Sequence, residues 1–451
     1  MGNAEHAGHA ERAGHAGHAG HAECTGRAGR TGRTAVVVGA GIGGLAAAVG
    51  LRRIGWEVTV LDRSPVLADA GAGISLHANG IRALDALGAG AAVRAAGRGH
   101  YTGGTRTPDG SWLARMDGAA LERALGSPIV GIPRAALHRL LREALEPVTP
   151  RTGVTVTGVA TVPGGRARVE LRADGASEGA GDGYRDRDGD GDGPPAEVLE
   201  ADLVVAADGV GSRIRAGLFP AHPGPVYSGS TVLRAITDRP VELRTDFEIT
   251  WGRGAEFGHI ALADGRAEWH AVLNAPAGVR PADPLAALRR RFAGWHAPVP
   301  ELLAATRPEA VLHHDIVELA TPLPSFTAGR VVLLGDAAHA MTPNLGQGAC
   351  QALEDAVVLA AELDGATGAG GVVDVAAALA RYDAARRPRT TAVAAAARRA
   401  GRMGQQLSHP LAVPLRNALL RLAPSGAAVR AILRHAAWTP PLTRAFSGEQ
   451  A

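Results

Sequence analysis

A short stretch near the start of the chain dictates most of what this sequence can fold into. Ala35–Val38 reads as a buried strand, Gly39-Ala-Gly41-Ile-Gly43-Gly44 follows directly, and Gly43–Ile54 reads as an uncharged helix until its last turn. Glu57–Leu61 has the texture of a second strand and ends at Asp62 and Arg63, with Asp62 21 residues after Gly41. In such a unit Gly39 permits the tight turn, Gly41 lets the backbone approach a pyrophosphate, and Gly44 lets the helix pack closely on the strand. The helix N-terminus offers unpaired N–H groups and a partial positive charge to phosphates. A carboxylate at the end of the second strand accepts hydrogen bonds from a ribose. In a chain with 61 glycines a glycine pattern alone says little. Strand, glycines, helix, strand and acid in that order say much more.

Composition narrows the rest. A chain of 451 residues can bury a large core and suggests two or three domains. All 47 basic residues are arginine, yet the formal charge is only +3, and no aromatic-studded basic stripe appears, so no nucleic-acid partner is expected. Cys24 and Cys350 lie far apart, which fits a reducing cytoplasm better than a disulfide framework. No basic-then-apolar signal pattern opens the chain. The uncharged run Ala35–Leu51 falls short of the ~20 apolar residues of a membrane span. Its glycines are explained by the turn, and no membrane partner is expected.

Residues 1–33 repeat His-Ala-Gly units, with histidines at His6, His9, His15, His18 and His21, and have the composition of a disordered tail. Residues 173–197 form a second low-complexity stretch, flexible by composition. Within it Asp186, Asp188, Asp190, Gly191 and Glu197 match a calcium-loop pattern. The flanks lack amphipathic helices and Pro194-Pro195 stiffens the loop, so it reads as solvated. No set of His, Cys and acid outside the tail has metal-ligand spacing, and no metal site is expected. Beyond Asp374 the chain reads as mostly helical, with Pro388, Pro410, Pro414 and Pro424 as punctuation.

Two later segments decide which dinucleotide the first motif serves. Ala206-Ala-Asp208-Gly-Val-Gly-Ser-Arg213 follows one apolar strand. Gly335-Asp336-Ala-Ala-His339 follows another and continues as Met341-Thr-Pro343-Asn-Leu-Gly346-Gln347-Gly348. With the N-terminal glycine motif, these make the chain resemble the class A flavoprotein monooxygenases, the p-hydroxybenzoate and salicylate hydroxylase family, over roughly Thr34 to Thr390. The resemblance implies that FAD is the cofactor and that NADH or NADPH is the co-substrate. It implies that Asp336 bonds the ribityl chain, that Asp208 lies by the pyrophosphate, and that Arg134 contacts the flavin side of the cofactor. It also implies that Pro343 to Gly348 pass along the flavin ring, where a helix starting near Gly346 would aim amides at developing negative charge. Read as single residues, Asp336 could equally cap a helix and Arg134 could be a surface charge.

The expected fold is α/β. A Rossmann-like, p-hydroxybenzoate-hydroxylase-like FAD domain is drawn from residues 34–221 and 321–390. A mixed β-sheet substrate domain is inserted at 222–320, and a helical C-terminal region spans 391–451. The resemblance implies a monooxygenase that uses O2 and NAD(P)H to hydroxylate a small aromatic or conjugated substrate through a flavin C4a-hydroperoxide, as a monomer or homodimer. His77 is the candidate for polarising a substrate hydroxyl, against the plainer reading of a satisfied histidine. Tyr227 is the candidate substrate contact, and Cys350 reads as core packing. Epoxidation, Baeyer–Villiger oxidation and a flavin-binding sensor without turnover remain open on the same scaffold.

Overall fold

The first strand, β1 (Thr34–Val38), buries four of its five residues and passes through the glycine turn into α1 (Ile42–Arg53) and β2 (Glu57–Leu61). Next come β3 (Gly73–Leu76), α2 (Ala78–Ala86), α3 (Gly90–Ala96), β4 (Arg98–His100) and a hairpin of β5 (Thr102–Arg106) and β6 (Trp112–Asp117). Then α4 (Gly118–Leu125), β7 (Ile129–Pro133) and α5 (Arg134–Leu145) lead to β8 (Val154–Thr161), β9 (Ala167–Ala173) and β10 (Glu197–Ala201). After β11 (Leu203–Ala206) and α6 (Arg213–Leu218) come β12 (Val226–Ile236), β13 (Phe247–Trp251), β14 (Ala255–Ala261) and β15 (Ala267–Asn274). Helices α7 (Pro284–Arg291) and α8 (Val299–Ala304) precede β16 (Leu312–Glu318), β17 (Thr327–Ala328), β18 (Val331–Leu333) and α9 (Asp336–His339). The last described elements are α10 (Gly348–Gly365), α11 (Val375–Met403), α12 (Ala412–Arg421) and α13 (Ala427–Ala436).

The computed structural model describes residues 32–67, 72–162, 165–173, 197–366, 373–424 and 426–441. The His-Ala-Gly tail and the calcium-like pattern, apart from Glu197, lie outside the described residues. Glu197 itself pairs with Arg151 at 2.6 Å.

One sheet has the order β17-β18-β11-β1-β2, with β18, β11, β1 and β2 all parallel. Strands buried on both faces read as unbroken Val, Leu and Ala runs, as these do. Helices α1 and α10 pack against each other beside it, and Leu45, Val49, Leu353 and Val357 share its core. Three widely separated stretches of sequence therefore meet as neighbouring strands.

The second large sheet has the order β16-β12-β15-β14-β13-β5-β6. Residues 222–320 supply β12 to β16, but β5 and β6 come from residues 102–117, and β5 joins in parallel register with Gly103 opposite Phe247. One face of this sheet packs Leu233, Phe257, Trp269 and Ala271 on Leu285, Leu288 and Phe292 of α7 and its end. By strand alternation, the opposite face carries Arg234, Glu256 and His270.

Two local expectations change. The helix expected from Gly346 begins at Gly348, because Pro343–Leu345 form a 3-10 turn and Gly346 takes φ +61°. Pro388 does not punctuate: α11 runs through it for 29 residues. Proline removes the partner of the carbonyl four residues back, but here Pro388 and Ala384 are both exposed, so water can serve that carbonyl. Pro414 likewise sits in the first turn of α12, where an N–H has no helical partner anyway.

Candidate functional site

All three motifs emerge at the C-terminal ends of adjacent parallel strands: Gly39 after β1, Asp208 after β11 and Asp336 after β18. That edge is where open α/β sheets bind ligands. A groove of about 260 Å³ opens there, lined by Gly39, Gly41, Asp62, Arg63, Asp208 and Arg213 among others. Gly39 holds φ +102°, and a Cβ on Gly44 would overlap the Gly39 carbonyl, so turn and helix approach only because both are glycine. Asp62 locks the turn by accepting from the amides of Ala40 at 2.7 Å and Ser64 at 2.8 Å. Each oxygen keeps a further lone pair toward the groove. Asp208 accepts from Ile214 through Oδ2, while its Oδ1 has no protein partner.

Beyond the end of β18, Asp336 opens α9, and Arg134 opens α5 near enough to feel its charge; both residues are exposed. Protein packed around Arg134, and then the Arg234 charge, lowers its pKa, while Asp336 pulls it the other way. Desolvation raises the Asp336 carboxyl above its usual range, against the pull of His339 and Arg134.

The loop after α9 carries an unusual set of unanswered polar atoms. Thr342 Oγ1, Gln347 Nε2 and His77 Nδ1 are buried without a protein partner. A Cβ on Gly346 would come within 3.3 Å of His77 Nε2, so His77 lies directly against this loop. Burial, then His435 and His100, push the His77 pKa down to about 4, leaving it neutral at ordinary pH. The glycine-lined groove, with Asp62 and Asp208 at the edge of the parallel sheet, fits FAD.

Behind the loop sits a network that sequence reasoning missed. Asp355 accepts from the Gly335 amide at 3.0 Å, from His339 Nε2 at 2.6 Å and from Arg386 Nε at 2.6 Å. Glu354 receives Arg386, Arg389 at 2.6 Å and Asn79 at 2.7 Å, and Asn79 also reaches Gln347 at 2.9 Å. Both acids are fully buried. The turn before Asp336 and the loop at Gln347 are thus tied to α10 and α11 through one ionic cluster.

The sheet face toward β3 carries a second missed group. His270 lies 3.6 Å from Glu268 and 3.7 Å from Glu256, within ion-pair range but longer than a hydrogen bond. Burial lowers its pKa, and the two carboxylates more than reverse this, leaving it raised. Burial also raises Glu256, although His270 and the Trp251 indole N–H oppose it. Gly258, opposite His270 in the β14–β15 ladder, leaves room for the imidazole, since a Cβ there would strike Nε2. Arg234 stands on the same face with its Nε buried and unanswered. Gly73 of β3 packs against Glu268 and Ile260, so this face covers the segment leading to His77. The sequence signal was a hairpin turn at Asp264-Gly265 flanked by charged residues at one parity, Glu256 before it and Glu268 and His270 after it.

Tyr227 is placed differently from the other candidates. Its hydroxyl donates to the Ala275 carbonyl, and the charges it feels are Asp315 and Arg280. Those neighbours do not line the groove. Cys350 is fully buried, and burial pushes its thiol up to about 12, as expected of packing rather than nucleophilic chemistry. Among the described residues, no cluster of His, Cys, Asp or Glu could hold a metal ion.

Comparison with known proteins agrees with this geometry. A family model described as "FAD binding domain" matches residues 33–397. The chain is 36% identical over 409 residues to the aurachin C monooxygenase/isomerase of Stigmatella aurantiaca, covering 90% of this chain and 98% of that one. It is 38% identical over 377 residues to a 3-amino-4-hydroxybenzoate 2-monooxygenase of Streptomyces platensis, covering 79% and 85%. Klebsiella pneumoniae HpxO, solved with FAD and uric acid, superposes with a TM-score of 0.76 at 26% identity, covering 90% and 97%.

Proposed function

Because the chain belongs to the FAD-binding-domain family of FAD-dependent monooxygenases, we propose that it oxygenates a small conjugated ring carrying amino or ring N–H groups. The cofactor is FAD, and NAD(P)H supplies the electrons, as is typical of the family. The observation that carries the site assignment is the convergence of Gly39–Gly44, Asp208 and Asp336 at one edge of one parallel sheet.

In this reading the α1 N-terminus and the Gly41 backbone hold the pyrophosphate, and Asp62 takes the adenosine ribose. Arg63 and Asp208 flank the phosphates, Asp336 takes the ribityl hydroxyls, and Arg134 lies toward the ring. Bound FAD stores the electrons and activates O2, which is the chemistry no side chain here can supply. The chain's part is positional. Amides at the start of α10, near Gly348, sit where a helix dipole favours negative charge. Gly346 and Gln347 form the loop along the ring, and Pro343 opens it. His77, neutral at working pH, can donate a hydrogen bond to a substrate hydroxyl or accept one from it without carrying charge into the site. The sheet face above it excludes water, which protects a reactive oxygenating cofactor from wasteful decay.

The substrate class rests on Glu256, Glu268 and His270. Two carboxylates packed beside the segment that leads to His77 would accept hydrogen bonds and so favour a ligand that donates them. This agrees with relatives named for an aminohydroxybenzoate and solved with uric acid. The test is substrate-stimulated NAD(P)H oxidation by the yellow protein, using paired rings with and without an amino or N–H group. Stimulation by the N–H member of each pair is the expected result, and stimulation only by the members lacking it overturns the assignment. Product masses and structures then separate hydroxylation from epoxidation or Baeyer–Villiger insertion.

A further inference from the structure

The C-terminal helices carry a surface the oxygenation chemistry does not use. Leu411, Leu415, Leu419 and Leu422 are 77%, 62%, 62% and 81% exposed. Their spacing of four, four and three residues puts them on one stripe of α12, and Pro414 and Ala418, also exposed, fill the gaps. Met403, 55% exposed at the end of α11, extends the patch. Arg416 ties the two together by donating to the carbonyls of Met403 at 2.9 Å and Gly404 at 3.0 Å. Exposed leucines scattered singly need no explanation, but a continuous stripe does.

The charge around it is one-sided. Residues 399–441 contain six arginines and no aspartate or glutamate, whereas Arg386, Arg387, Arg389 and Arg398 before them pair with Glu354, Asp355, Asp383 and Glu318. Arg402, Arg421, Arg430 and Arg434 are exposed around the patch and its following helix. Asp109, in the β5–β6 turn, is close enough to feel Arg421, so one of these charges is partly answered by the protein itself.

We propose that α12 seats its leucine stripe in the surface of an anionic membrane, with the surrounding arginines on the lipid headgroups. An apolar face with a basic rim is the pattern of an interfacial helix that lies in the headgroup layer. A second copy of this chain is the poorer occupant, because a two-fold pairing of identical patches sets arginine against arginine. The contact is peripheral: no described helix is long and apolar enough to cross a membrane. It adds a lipid partner where the sequence alone suggested none. Helix α13 follows α12 and shares a small core with Ala78, the residue after His77.

The experiment is flotation of the FAD-loaded full chain with vesicles of phosphatidylglycerol and phosphatidylcholine, and with phosphatidylcholine alone. Expected are flotation with the anionic vesicles, weakening as salt is raised, and little with the neutral ones. Leu415→Glu with Leu419→Glu should weaken it about tenfold or more, with unchanged flavin spectrum and melting temperature. Leu415→Ser with Leu419→Ser gives a milder check on folding. Failure to float with anionic vesicles overturns the proposal, as does equal flotation of the variants. So does a wild-type dimer that the substitutions split while neither protein floats.

Discussion

Replacing Asp355 by asparagine tests how the cofactor turn is held. Asp355 is fully buried and accepts from Gly335, His339 and Arg386. Asparagine keeps the shape, but its amide must point a donor at one of those donors, and Arg386, 1% exposed, loses half of its counter-charge. Burial alone would raise the Asp355 pKa, yet His339 and Arg386 bring it down to about 2, from an ordinary value of 3.8. That difference corresponds to about 2 kcal/mol of stability at neutral pH. Breaking a buried pair by removing one partner costs about 3–5 kcal/mol in known cases. A loss of about 2–4 kcal/mol follows, or roughly 2–4 °C in melting temperature for a protein of this size. The sign is definite, because the Asp355 contribution is complete above the unfolded pKa and vanishes as pH falls through about 2. The same turn presents Asp336, so FAD affinity should fall about tenfold, roughly 1.4 kcal/mol. Tryptophan-fluorescence melts of apoprotein and flavin-quenching titrations measure the two effects separately. An unchanged melt and an unchanged titration would refute the reasoning. Combining the change with Arg386→Met should cost less than the two separately, and strict additivity would show that the pair is not coupled.

Other consequences are as direct. Asp336→Ala should release FAD on gel filtration where wild type retains it, and full occupancy in the variant argues against the ribityl assignment. His77→Ala should slow product formation more than flavin reduction, seen by stopped flow, and equal coupling of NAD(P)H use to product in both proteins would remove His77 from the substrate. His77 and His259 are both held at about 4, chiefly by burial, against an ordinary value of 6.5. Unfolding therefore takes up protons between those values, and stability should fall as pH drops from 6.5 toward 4, by at most about 3 kcal/mol for each. Thermal melts across that range check it, and a flat profile would contradict it. His270→Phe should raise KM for an N–H substrate far more than it changes kcat, and unchanged steady-state kinetics would place His270 off the substrate path.

Much of the candidate site is legible in the sequence because its information is local. The order of strand, glycines, helix, strand and Asp62 states its own geometry, and Asp208 and Asp336 each follow an apolar strand by two or three residues. The parallel sheet then had only to align three such strands. The acids of α10 were not legible, because Glu354 and Asp355 in an alanine-rich helix look like solvated positions until Arg386 arrives from another helix. Pro388 misled for the same reason, since a proline reads as a stop unless the rest of the helix is anchored from outside. Glu256 and His270 become neighbours only through the β14–β15 register, which also brings Gly258 beneath the imidazole. The hydrogen bond from the Tyr227 hydroxyl to the Ala275 carbonyl is likewise one that no spacing rule reveals.

The borrowed hairpin has a consequence for how the chain is made. Strand β5 leaves the ribosome well before its partner β13, with Gly103 waiting for Phe247. At about 5–20 residues per second, an interval of ~140 residues lasts roughly 7–30 s. Throughout that time β5 presents an open strand edge, the kind that pairs with whatever edge it meets. Crowded synthesis should therefore favour polysome-bound chains that swap this hairpin with a neighbour, and slowing initiation should recover more soluble enzyme than slowing elongation.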